Sequence, residues 1–80
     1  MSEHPTELVI DARYLEPPEP FVKAMEALDH FAGDHAPSSI RLLLFREPFP
    51  LYKVLDDHGY QRQTELQPDG TYVILIRRPA

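Results

Sequence analysis

The chain has 80 residues, with thirteen Asp and Glu against eight Lys and Arg, nine prolines and no cysteine. A chain this short forms one thin core, burying roughly 60–65% of its unfolded surface, and excludes a deep, dry cavity. The net charge of -5 argues against nucleic-acid binding, which rests on phosphate neutralisation by Lys and Arg, and the missing cysteine excludes disulfides, thiolate metal sites and a cysteine nucleophile.

Residues 1–6 read as a flexible tail on a single domain spanning 1–80. The opening MSEHPTE is acidic and polar, unlike a secretory signal. No apolar run approaches the ~20 residues that cross a bilayer, so a cytoplasmic chain without a membrane partner is expected. ELVID, residues 7–11, alternates as a strand, with Leu8 and Ile10 on one face and Glu7, Val9 and Asp11 on the other. LEPPEP, residues 15–20, is a proline-stiffened loop. It opens a helix expected over Pro18–Ala32, since proline is tolerated in a first turn. Phe21, Met25, Leu28 and Ala32 form its apolar stripe, widened by Ala24 and Phe31.

After the turn GDHAPSS, IRLLLFR is apolar on both faces and reads as a central strand. EPFP is a stiff link to a short helix, LYKVLDDHG, in which Leu51, Val54, Leu55 and His58 share a face. Gly59 suits the left-handed C-terminal cap. YQRQTELQ and TYVILIRR, joined by PDG, form an antiparallel hairpin. The expected fold is an α/β two-layer sandwich, β-α-β-α-β-β, with a four-stranded mixed sheet and both helices on one face. Leu43, Phe45, Val73 and Leu75 then occupy the uncovered face. That face is either a surface for a protein partner or self-association, or one partly covered by tails and side chains.

This order of elements resembles the TusA-like fold of small sulfurtransferases, in which a strand leads to a Cys-Pro-x-Pro loop opening the first helix. Pro18, Glu19 and Pro20 match the proline-bearing part, and Asp11 and Leu15 suit the approach to it. Pro17 stands where that family carries its persulfide cysteine, and Tyr14 departs from its usual glycine. A closer resemblance is to the domain of unknown function 2249 family, similar to TusA but generally lacking the thiol. Its members carry a loop like LEPPEP and a later segment like REPFPLY, here Arg46 to Tyr52. The Gly59-Tyr60 pair after the second helix also fits, and the resemblance runs roughly from Leu8 to Arg77. A persulfide carrier needs a thiolate. Proline supplies none, and the thioethers of Met1 and Met25 cannot form a persulfide.

The chain offers four candidate constellations. Glu16 and Glu19 are a carboxylate pair, read either as an acid–base site or as solvated charge favourable at a helix start. Arg13 and Arg46 flank the two proline loops. They either bracket a small anionic ligand or acidic partner surface, or pair with Glu16, Glu19 or Glu47. Phe49, Leu51 and Tyr52 are either a contact surface on a stiff segment or pins holding the second helix to the sheet. His4, His30, His35 and His58 show no metal-ligand spacing, so neither a metal nor a cofactor is expected. The leading reading is a non-catalytic binding or accessory module that presents Arg13, Glu16, Glu19, Arg46, Phe49 and Tyr52 around proline-stiffened loops. One alternative is an enzyme or cofactor-binding protein using Arg and carboxylates between those loops. The other is a nucleic-acid-binding module, which predicts a continuous basic stripe.

Overall fold

The computed structural model describes residues 6–79. The expected tail and His4 lie outside the described residues, apart from Thr6, whose carbonyl accepts the Ser38 N–H at 2.7 Å. The elements follow as β1 (Glu7–Asp11), α1 (Glu19–Asp29), β2 (Ser39–Leu44), α2 (Phe49–Asp57), β3 (Gln61–Leu66) and β4 (Tyr72–Arg77). A single 3-10 turn, His30–Ala32, extends α1. The sheet order is β1-β2-β4-β3. β1 runs parallel to β2, and the other two pairings are antiparallel. This is the expected two-layer α/β sandwich with a mixed sheet.

β2 is central, as its doubly apolar sequence requires. Ile40, Leu42 and Leu44 point to the helices and pair in register with Ile76, Ile74 and Tyr72 of β4. Apart from Tyr72, which is partly buried, these side chains are buried together with Leu51 and Leu55 of α2. The stripe of α1 is rotated from the expected one. Ala24, Ala27, Leu28 and Phe31 are buried, while Phe21 is 38% exposed and Ala32 faces solvent. Two alanines on the inner face allow a close approach to the sheet, and that rotation leaves Phe21 at the helix opening. Phe31 stacks on Tyr60, with ring centroids 5.6 Å apart.

α2 begins at Phe49, two residues before the expected Leu51. The second proline of EPFP occupies a first-turn position, where the missing N–H breaks no helical bond. His58, expected on the apolar face, is exposed, and its Nδ1 lies 3.0 Å from the Val54 carbonyl oxygen. Gly59 ends the helix at φ 75°, the left-handed conformation that glycine adopts without strain.

Candidate functional site

β1 and β2 are adjacent and parallel, so their C-terminal ends lie at the same edge of the sheet. The loops leaving them run side by side into α1 and α2. Both helices open in the same way. Pro18-Glu19-Pro20 and Pro48-Phe49-Pro50 each place proline at the N-cap and at the second helical residue, with no capping side chain. The Glu19 N–H is taken by the Glu16 carbonyl at 2.8 Å, and the Phe49 N–H by the Glu47 carbonyl at 3.1 Å. The Val22 and Tyr52 N–H groups close the first helical bonds on the Pro18 and Pro48 carbonyls, both at 3.1 Å.

A helix start normally presents several unpaired N–H donors. Here two are deleted by proline and one is used within each loop, leaving one first-turn amide per helix, on Phe21 and Leu51. These helix starts are poorly equipped to hold an anion.

Between them lies a half-open groove of about 420 Å³. Leu15, Pro17, Pro18, Pro20 and Phe21 form one wall. Phe45, Pro48, Pro50 and Leu51 form the other, and Leu42 and Leu44 of β2 form the floor. Polar groups enter through Arg13, Glu16, Arg46 and Glu47. The groove therefore brings together Arg13, Glu16 and Arg46 of the six expected site residues, while Glu19, Phe49 and Tyr52 fall outside its lining.

Arg13 pairs with Asp11 and not with the expected Glu16, Glu19 or Glu47. Its Nε and Nη2 donate to the two oxygens of Asp11 at 2.9 and 2.8 Å. The guanidinium also lies near the rings of Tyr14 (5.7 Å) and Phe45 (6.0 Å), which meet edge to face. Arg13 holds the Asp11 carboxyl well below its ordinary 3.8, at about 2, through its side-chain and backbone hydrogen bonds. The Asp69 carboxyl is also held low, mainly by the Thr71 N–H at 2.9 Å. Neither aspartate lines the groove. Among the described residues Arg46 makes no ion pair, so it is the cation left free at the groove.

Tyr52 is only 8% exposed. Its hydroxyl donates to Glu47 Oε2 at 3.1 Å and accepts from Thr64 Oγ1 at 2.6 Å, tying α2 and the groove wall to β3. Burial is the main cause that raises its pKa above 10.0, and the Glu47 carboxylate adds to it. Arg62 stacks 4.0 Å from the centre of its ring while binding Asp56 through two hydrogen bonds. Phe49 meets Tyr52 edge to face and is otherwise exposed. Sequence reasoning did not assign Leu15, Phe21, Leu44 and Phe45 to the site. The available signal was the parallel between EPPEPF and EPFPL, each placing an apolar residue after Pro-x-Pro. Among the described residues no three His, Asp or Glu side chains gather as a metal-binding set, and no helix is long and apolar enough to cross a membrane.

A family model described as an uncharacterized conserved protein, DUF2249, matches residues 9–78. The chain belongs to the DUF2249 family. Both proline loops of this DUF2249 chain fall inside the match. A solved structure, that of a SirA-like protein from Desulfitobacterium hafniense, is similar in fold. It superposes with a TM-score of 0.74 over 91% of this chain and 99% of that one, at 23% sequence identity. No curated protein matches. With proline at 17 and 18 and no cysteine in the chain, this DUF2249 member cannot carry a persulfide.

Proposed function

We propose that this DUF2249 chain is a thiol-free binding module whose groove takes apolar side chains from an extended segment of a protein partner. The observation that carries this reading is the pair of Pro-x-Pro helix starts walling an apolar groove. Its volume falls in the ~300–1,000 Å³ range of binding sites, but sites for small ligands enclose most of the ligand. A half-open groove suits an anchor residue whose remainder belongs to a larger partner. Prolines hold the walls in place before binding, which lowers the ordering cost.

A small anionic ligand is disfavoured by the same geometry. Proline removes helix-start donors, Asp11 neutralises Arg13, and Arg46 shares the groove lining with the acids Glu16 and Glu47. Acid–base catalysis has less support than binding, because the carboxyls with lowered pKa lie outside the lining.

The test is a titration of the protein with indole, a neutral side-chain mimic, and separately with inorganic phosphate, followed by 13C methyl spectra. Indole is expected to move the methyls of Leu15, Leu44 and Leu51, and Phe21→Lys to abolish the response. Phosphate shifting these groups while indole leaves them unmoved would reverse the assignment.

A further inference from the structure

Both helices pack on one face of the sheet, and among the described residues no helix or strand packs on the other. On that face the register aligns Val9, Arg41, Leu75 and Gln63 in one row across the sheet, and Asp11, Leu43, Val73 and Glu65 in the next. Phe45 and Tyr14 extend it at one corner. Its centre is aliphatic, and Val9 and Phe45 are 52% and 42% exposed. β2 and β4 read SIRLLL and YVILIR, nearly continuous apolar runs of the kind found in strands covered on both faces. The helices cover only one.

We propose that the bare sheet face is the interface between two copies of this chain. Charge makes this the face on which a second copy can dock. The chain carries a net -5, so two copies repel over most of their surfaces. The bare face is different. Its acids Glu7, Asp11 and Glu65 are matched by Arg13, Arg41 and Arg77. Two of these pairs are closed within the chain: Arg41 donates to Glu7 at 2.9 Å and Arg13 to Asp11 at 2.8 Å. Even with Asp69, whose charge acts on Arg13, the face is within one charge of neutral. It is therefore a broad surface on which two like-charged copies meet without repulsion.

The molecule is a slab, 39 × 27 × 19 Å. Four strands ~4.8 Å apart and roughly 18 Å long present a flat face of about 350 Å². Side-chain relief and the aromatic corner enlarge it, so covering it on two copies removes on the order of 1,000 Å², near the lower limit of a specific interface. A reversible dimer with a dissociation constant near ~1 µM to ~100 µM follows. The groove floors and helix walls lie on the other layer, and only Arg13 and Phe45 at the corner belong to both surfaces.

The experiment is sedimentation equilibrium of the full chain from about 1 µM to about 1 mM. A monomer–dimer equilibrium is expected. Leu75→Lys, at the centre of the face, is expected to weaken it by about 100-fold or more. Val9→Lys lies on an edge strand at a half-exposed position. It is expected to leave the circular dichroism spectrum unchanged and still weaken the dimer at least ~10-fold. Phe21→Lys, a groove change, leaves the dimer intact, so failure of this proposal is separable from failure of the groove reading. A monomer at every concentration would overturn the proposal. So would a dimer that survives Val9→Lys and Leu75→Lys but is lost with Phe21→Lys.

Discussion

Replacing Tyr52 by Phe removes one oxygen atom and leaves the ring in place under Arg62. The hydroxyl makes two hydrogen bonds, to the Glu47 carboxylate and from Thr64. A neutral hydrogen bond contributes about 0.5–1.5 kcal/mol net, and one to a charged group about 1.5–3 kcal/mol. Glu47 and Thr64 lie near the surface and regain water, so the lower end of each range applies and the change costs about 2 kcal/mol. For a domain of this size each kcal/mol moves the midpoint by about 4–8 °C, which places the loss at ~8–16 °C.

Differential scanning calorimetry reads the midpoint, and urea titration reads the free energy. A double-mutant cycle with Thr64→Val should return a coupling of about 0.5–1.5 kcal/mol. The pH dependence supplies a second check. Folding raises the Tyr52 pKa above 10.0, so its contribution is complete below pH 10 and is lost as pH rises through the folded-state value. The gap between wild type and Tyr52→Phe should therefore narrow on the alkaline side. A midpoint change under ~2 °C, or a cycle with no coupling, would refute the view that this hydroxyl fastens the groove wall to β3.

Arg13→Gln removes the partner that holds Asp11 low, and carboxyl 13C titration should show Asp11 moving from about 2 back toward 3.8. In the wild type the stabilisation from this pair is present above pH 3.8 and fades as pH falls toward 2, so the variant should lack that acid-side decline. Gly59→Ala should destabilise by about 1 kcal/mol, measured by urea unfolding. The cause is φ 75° alone, since an added Cβ comes no closer than 3.9 Å to Pro79. Arg46→Ala should leave the thermal midpoint within ~1 °C, because a surface change away from any pairing costs little. Arg62→Ala, which loses both the Tyr52 ring and Asp56, should lower it by several degrees in the same scan. The Arg46→Ala protein should still bind its partner more weakly than wild type in a direct binding assay.

The order of elements was readable because each carried its own period or punctuation. IRLLLFR announced a central strand, Pro-Asp-Gly a hairpin turn, and Gly59 a helix end. The sandwich follows from those local signals plus the rule that apolar faces must be covered. The groove was less readable. That the two proline loops would meet follows only from β1 and β2 being parallel neighbours, which no local pattern states. Phe21 shows the same limit. Its spacing from Met25 and Leu28 fits the apolar stripe, and only the close seating of Ala24 and Ala27 on the sheet turns it outward. Arg13 chose Asp11, two residues away, over the glutamates of the loops, because a side-chain fork two residues along a bend needs little ordering. Tyr52 carries a polar tip that two neighbours satisfy, and neither neighbour is marked by sequence distance.

Five of the residues walling the groove are imino acids: Pro17, Pro18, Pro20, Pro48 and Pro50. Each lacks the proton that amide-exchange mass spectrometry and ordinary nitrogen-correlated spectra detect. A partner seated there would register mainly at the margins, and docking could pass for a remote or negligible event. Experiments that read carbon or fluorine nuclei would see contact where proton-based mapping falls silent.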